Sequence, residues 1–404
     1  MSVSKNLIFL SLVKIDNLEE RGIYQDLLRQ LIKEGHKVTV VCPLERKYNL
    51  QTRKLIIGDL TILQVKTLNI QKCSLFEKGL ATITINYLLK RNIKKNICNL
   101  SFDVILYATP PITFLNLVVW LKAISKGKTY LLLKDIFPQN AVDMGMIRKN
   151  SILHNYFRRI EERLYEVSDK IGCMSPANLN YLIERYPEIK DKIEINPNSI
   201  EIFEKTVNRT DFSKIRSVYN VPKDSVVFLY GGNLGKPQGV EFLMSVIKEI
   251  EKLANNVYFL IAGDGTDFSK LSNWFEQEKP KNAQLIRSLP REEYQKIVSI
   301  SDVGLILLRK DFTIPNFPSR LLSYMENKLP VLCFIDEITD IGKIAKENNF
   351  GDWSVYGDLE EAVNKIVYLA NQSGLRNLMG ENAYLFLKEE FNIEKTTKLI
   401  IENI

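Results

Sequence analysis

Three stretches of this chain carry residue types and spacings that could do chemistry. The first is YGGNLGKPQGV at 230–240. Gly231, Gly232 and Gly235 permit tight turns and close approach of a ligand to the backbone. A helix starting at Val240 would aim free N–H groups and a positive dipole end at the loop, which suits a phosphate. Lys236 would add a full charge. An ordinary strand-to-helix turn explains the same residues. No GK[ST] follows and GxGxxG is absent, so neither a Walker A loop nor a dinucleotide fingerprint is present.

The second stretch is NFPSRLLSYMENKLPVL at 316–332. Pro318 reads as loop and Ser319 as a helix N-cap, with Arg320 in the first turn. A helix start beside an arginine is a second device for an anion, and two such devices in one domain suit a diphosphate. A capped helix with a solvated arginine is the plainer reading. The third stretch is LLLKDIFPQNAVDMGMI at 131–147, where Asp135 and Gln139 follow an apolar strand. An acid there could bind a hydroxyl or act as a base, or simply cap the next helix.

Other residues are weaker candidates. ATPPITF at 108–114 is a rigid loop after a strand. His36 reads as structural at a helix-to-strand turn, His154 as part of a helix, and Asp302 as a turn residue. Asp264 has no partner acid in a DxD spacing, which speaks against a metal-diphosphate site. With only these two histidines, a histidine-built metal site is not expected. KRNIKK at 90–95 follows ITINYLL and has four basic residues and no acid. It reads as a basic amphipathic helix suited to an anionic membrane surface, or as a solvated helix face. Aromatic residues interleaved with a longer basic stripe, as nucleic acid would need, are not evident.

The elements that must position these residues follow a regular alternation. NLIFLSLV (6–13), GIYQDLLRQLIKEG and HKVTVVCP read as strand, helix and strand, with Gly35 at a helix end. FDVILYATPP, KTYLLLKDIFP, KIGCMSP and KIEINPNS continue the series of strands. SVVFLYGGNLG restarts it, with VEFLMSVIKEIEKL and LPREEYQKIVSIS as helices and NVYFLIAGDG, DVGLILL and LPVLCFI as strands. A polar break near 200–222 separates the halves. This predicts two doubly wound, parallel-sheet α/β domains facing across a cleft, with ligands beyond the carboxyl ends of the strands.

Composition agrees. The chain has 404 residues, 45% apolar and 25% charged, with a formal net charge of +7. That length suggests two or three domains of roughly 100–200 residues and excludes a disordered or fibrous chain. Five cysteines without CxxC spacing read as free thiols in a reducing compartment. With no visible signal peptide and no run near ~18 apolar residues, the expected location is cytoplasmic, with membrane contact only peripheral.

Together these segments resemble bacterial family-4 glycosyltransferases of the GT-B fold, in particular the capsule and O-antigen polysaccharide type, over nearly the whole chain. GIYQDLLRQLIKEGHKVTVVCP is similar to that family's first βαβ unit, and KDIFPQNAVDMGMI to its D-[LI]-[WF]-P-[EQ] motif. CMSPANLNYL with NPNS, YGGNLGKPQG and PSRLLSYMENKLPV resemble its later motifs. Asn233 and Gln238 stand where many members have Arg and Lys, and Pro315 and Ser323 where many have two Glu.

The resemblance implies a retaining, metal-independent transferase that moves a sugar from a nucleotide-diphosphate sugar. The acceptor would be an undecaprenyl-diphosphate-linked saccharide on the inner face of the plasma membrane. No cofactor is implied. It divides the chain into an acceptor domain at 1–204, a donor domain at 205–385, and a last helix at 386–404 returning to the first. Lys236 and Arg320 would stabilise the leaving diphosphate, and Asp135 would orient the acceptor hydroxyl. Gly232, Asn233, Gly235, Gln238, Pro318, Ser319 and Ser323 would bind the donor. Asp16, Glu20, Gly22 and Gln139 would line the acceptor side. Two rivals stand beside this reading: a sugar-nucleotide epimerase of the same fold, and a non-catalytic nucleotide-sugar-binding scaffold of a membrane assembly.

Overall fold

The computed structural model describes residues 3–70, 73–203 and 212–404. Part of the expected break, 204–211, lies outside the described residues. The chain divides into two compact units, one of Met1–Glu201 with Asn392–Ile404 and one of Ile202–Phe391.

The first unit is built on an eight-stranded sheet. Its strands are β1 (Asn6–Leu10), β2 (Lys37–Glu45), β3 (Arg53–Ile57), β4 (Leu60–Thr67), β5 (Val104–Ala108), β6 (Lys128–Leu133), β7 (Lys170–Cys173) and β8 (Ile193–Ile195), in the spatial order β3-β4-β2-β1-β5-β6-β7-β8. All neighbours are parallel except β3, which pairs antiparallel with β4. Strands such as VILYA are buried end to end, as a sheet covered on both faces requires. The strand predicted over 6–13 stops at Leu10, because the Ser11 side chain turns back to bond the Val13 backbone. The β3–β4 hairpin, with Gly58 at φ +57°, is an addition to the strands read from the sequence.

Helix α1 (Ile23–Lys33) buries Leu27, Leu28 and Leu31 against that sheet. It ends as expected: Gly35 adopts φ +88° and its N–H bonds the Ile32 carbonyl. The chain's last helix, α15 (Ile393–Glu402), packs on α1 and adds Ile393, Ile400 and Ile401 to the same core. Thr397 bonds Glu34, and Lys5 Nζ donates to the carbonyls of Ile401 and Ile404. The return to the first unit begins at Asn392, because the preceding helix α14 (Ser373–Glu390) runs past 386, with Ala383 and Leu387 buried.

The second unit is a six-stranded parallel sheet. Strands β9 (Val226–Asn233), β10 (Val257–Asp264), β11 (Ala283–Arg287), β12 (Val303–Leu307), β13 (Val331–Ile335) and β14 (Gly351–Val355) lie in the order β11-β10-β9-β12-β13-β14. Helix α8 (Val240–Leu253) is amphipathic and buries Val240, Leu243, Val246, Ile247 and Ile250 in this unit's core. Each such side chain contributes about 1.5–3 kcal/mol on burial.

Both sheets reverse their winding beside their first strand, between β1 and β5 and between β9 and β12. In open α/β sheets such switch points are where ligands bind.

Candidate active site

In the second unit, β9 carries Gly231, Gly232 and Asn233 to the carboxyl edge beside β12. Helix α11 (Arg320–Glu326) packs on β12. Its Tyr324 is fully buried and joins the two strands across the switch point: its hydroxyl accepts from the Gly231 N–H of β9 at 3.0 Å and faces the Leu229 carbonyl of β9 at 3.2 Å and the Leu305 carbonyl of β12 at 3.4 Å. Arg320, one turn earlier, places its guanidinium over the Tyr230 ring, 4.4 Å from the centroid. Gly232 has φ +123°, and a Cβ there would sit 3.5 Å from that guanidinium. Glycine is therefore favoured by conformation, while a Cβ would meet the guanidinium only in ordinary van der Waals contact.

Two polar atoms here are left over. Arg320 Nη1 and Ser323 Oγ are both buried with no hydrogen-bond partner. Buried polar groups are nearly always paired, so such atoms call for a ligand or water. Pro318 and Ser319 precede them. Ser319 stands at the N-cap position, but its dihedrals are already helical (φ −62°, ψ −18°) and its side chain caps nothing. This corrects the expected cap.

The 231–239 loop is held by its own side chains. Gln238 is buried, and its Oε1 accepts from the Gly235 N–H and from Asn233 Nδ2, both at 3.1 Å. Leu234 N–H bonds the Asp264 carbonyl, and Gly239 enters α8 at φ +59°. Gln238 thus holds the turn, while Gly232, Asn233 and Lys236 are exposed at its rim.

In the first unit, Asp135 follows β6. Burial pushes its carboxyl up to about 6, while a 2.6 Å bond from Asn140 Nδ2 acts against that. Thr109, in the loop after β5, donates to the Asp135 carbonyl and so ties the two loops together. Gln139 donates to Asp143 at 2.7 Å. Across β5, the loop after β1 carries the other acceptor-side residues. Asp16 is exposed and already engaged by Lys14, Arg53 and Gln64. Glu20 is exposed, and Gly22 precedes α1 with its N–H on Asp26. The structure therefore places Asp135 with Gln139 on one loop and Asp16, Glu20 and Gly22 on another.

Some residues escaped the sequence reading. Asp26 is buried and binds the Gly22 and Glu201 N–H groups and Arg29. Lys134 is more unusual. Burial pushes its ammonium down to about 7, and its Nζ has one 3.4 Å contact, to the Asn196 carbonyl. A charged residue ending the run LLLKD was the available signal. His36 and His154 are both buried and each accepts a backbone N–H on Nδ1, which fits structural roles. Asp302 holds Arg216 and the Val227 N–H. Among the described residues, no three His, Cys, Asp or Glu side chains gather as a metal site would need.

Two Rossmann-like parallel-sheet domains, each with polar groups at its switch point, define the chain as an α/β protein of the GT-B class. Residues 23–202 match the model of Glycosyltransferase Family 4, and residues 211–386 that of Glycosyl transferases group 1. The chain is a glycosyltransferase of the GT-B type. "Probable glycosyltransferase WbjE" of Pseudomonas aeruginosa is 24% identical over 338 residues, 83% of this chain and 82% of that one. An Escherichia coli trehalose-6-phosphate structure bound with UDP-2-fluoro glucose superposes with a TM-score of 0.73 at 11% identity, covering 98% of each chain. HepE of Anabaena in complex with UDP-glucose gives 0.69 at 13% identity, again over 98% of each. These likenesses show the fold.

Among the described residues, no helix is long and apolar enough to cross a membrane.

Proposed function

We propose that the second unit binds a nucleotide-diphosphate sugar and that the protein transfers the sugar, with retention, to a lipid-linked saccharide in surface polysaccharide synthesis. One observation carries this reading: a buried, unpartnered guanidinium nitrogen of Arg320 and the equally unpartnered Ser323 hydroxyl lie at the β9/β12 switch point, beside the bare backbone of Gly232. Such an arrangement suits a diphosphate on the arginine and a ribose or phosphate oxygen on the serine. The neighbours that carry UDP-glucose and UDP-2-fluoro glucose support the donor class.

In this reading the bond between the anomeric carbon and the diphosphate oxygen breaks. The acceptor oxygen bonds that carbon on the same face, and its proton passes to the leaving phosphate. Arg320 and exposed Lys236 stabilise the charge that develops on the diphosphate, so no metal and no cofactor are needed. Asp135 orients the acceptor hydroxyl, with Gln139 and the 16–22 loop along the same side. Lys90, Arg91, Lys94 and Lys95 hold the protein against an anionic inner leaflet.

A thermal-shift series with UDP, GDP and dTDP compounds, without added metal, tests the donor reading. A nucleotide at ~100 Kd adds roughly 2.7 kcal/mol, a shift of a few degrees. Selective stabilisation by one nucleotide series is expected. No shift at millimolar concentration with any of them would overturn the reading. Turnover then separates a transferase from a scaffold that only binds.

A further inference from the structure

Helix α10 (Arg291–Ser299) follows β11 and is anchored away from the donor loop. Its Ile297 and Val298 are buried, and Glu293 accepts from the Tyr219 hydroxyl at 2.8 Å. The next residue, Tyr294, reaches β9. A Cβ on Gly231 would overlap the Tyr294 hydroxyl, so the phenol fills the space that any larger residue at 231 would need. The Gly231 backbone is not left-handed, so glycine stands there for space alone.

Tyr294 also forms a side-chain hydrogen bond with Tyr324, whose hydroxyl takes the Gly231 N–H. Tyr230 completes the arrangement. Arg320 stacks on its ring, and its hydroxyl donates to the Asn233 carbonyl at 2.6 Å. Two phenols therefore hold the base of the 231–239 loop, and the third holds its next turn.

The same three phenols are the electrostatic partners of the buried Arg320. No carboxylate pairs with this arginine among the described residues. A buried charge is normally matched by an acid, because leaving it unpaired is costly. An acid here would neutralise the guanidinium before any ligand arrived. Aromatic faces offset part of the burial cost and leave the charge whole. Burial pushes the Tyr294 hydroxyl up to about 12 and raises Tyr230 and Tyr324 above the ordinary phenol range, so all three rings stay neutral.

We infer that Tyr294 is a positioning residue of the donor site: wedged between Gly231 and Tyr324, it completes a neutral cage that fixes Arg320 and the loop and leaves the arginine's counter-ion to be supplied by a diphosphate. Its part in transfer rests on the donor reading above, but the cage can be measured without it.

The probe is inorganic diphosphate, titrated calorimetrically into the full-length protein. Tyr294→Glu puts an acid beside the guanidinium, and Tyr294→Gln is its neutral match in size. The Glu variant should bind diphosphate about tenfold or more weaker than the Gln variant. Tyr294→Phe keeps the ring and loses the hydroxyl. Its melting temperature should stay within a few degrees of wild type. Its kcat should fall about tenfold with KM for the nucleotide sugar little changed, because a loosened arginine matters most where charge develops. A phenol with only a packing role would move the melting temperature and leave kcat alone. Melting curves check that each variant folds, and the Phe variant carries the test if the Glu variant does not. The inference is overturned if wild type does not bind diphosphate, if the Glu and Gln variants bind it equally, or if Tyr294→Phe turns over like wild type. Diphosphate binding that Tyr294→Glu removes, with no nucleotide shift in wild type, would count only against the donor reading.

Discussion

The Arg320 guanidinium sits 4.4 Å above the Tyr230 ring and closes over Gly232, while its Nη1 is buried without a partner. The aromatic face offsets part of the cost of burying the charge, and the planar fork is held before any ligand arrives. Arg320→Ala should therefore lower kcat by about 10²–10³, the usual loss for a preorganised group that stabilises developing charge. Arg320→Lys should recover little, since an ammonium reproduces neither the stacking nor the fork. Steady-state kinetics of the three proteins check this, and an arginine with only a packing role would leave kcat near wild type.

Gly232→Ala places a Cβ against that guanidinium and forces an L side chain to φ +123°. A strained backbone of this kind costs of order 1–3 kcal/mol. The melting temperature should fall by several degrees, together with a weakened nucleotide response. A stable variant with normal nucleotide binding would show that the loop relaxes freely.

Gln238 and Lys236 share one loop but should respond differently. Gln238→Ala leaves the Gly235 N–H unpaired inside the fold and should cost about 1–3 kcal/mol of stability. Lys236→Ala, at an exposed position, should leave the melting temperature unchanged and lower transfer rate. Melting curves beside kinetics distinguish the two.

Lys134 should give stability a pH dependence of definite sign. Burial lowers its folded-state pKa from 10.5 to about 7. The unfolded chain therefore holds a proton between these values that the folded chain has released. Stability from this residue is complete above about 10.5 and is lost as pH falls through about 7. Lys134→Met should raise the melting temperature at pH 6–7 by a few degrees and flatten its rise between pH 7 and 10. A parallel profile in wild type and variant would show that the ammonium is solvated.

The basic end of α2 (Leu75–Asn96) should govern attraction to anionic membranes. Lys90 and Lys94 lie over the Trp120 ring at 5.2 and 5.5 Å, and Arg91 and Lys95 are exposed. Each basic residue near such a surface contributes about 1 kcal/mol. Reversing all four charges should weaken binding to phosphatidylglycerol vesicles about hundredfold or more at low salt, with little change on neutral vesicles. Unchanged sedimentation with anionic vesicles would remove the patch from the membrane contact.

Much of this molecule was legible in its sequence, and for a local reason. Apolar runs such as SVVFLY and the 3.6-residue stripe of VEFLMSVIKEIEKL report burial directly, and burial sets strand and helix. Two α/β domains, the loop after β9, Arg320 at a helix start and Asp135 after β6 follow from those patterns. What remained hidden depends on which strands become neighbours. That Gln238 turns inward to hold Gly235, that Ser319 does not cap its helix while the Ser323 Oγ is buried without a partner, and that Tyr324 bridges β9 and β12 are decided by the switch point. The cage around Arg320 is of the same kind: Tyr230, Tyr294 and Tyr324 come from three separate segments and meet only because β9, α10 and α11 converge there. Sequence periodicity reports which face of an element avoids water; only tertiary packing decides which atoms remain unpaired when those faces close.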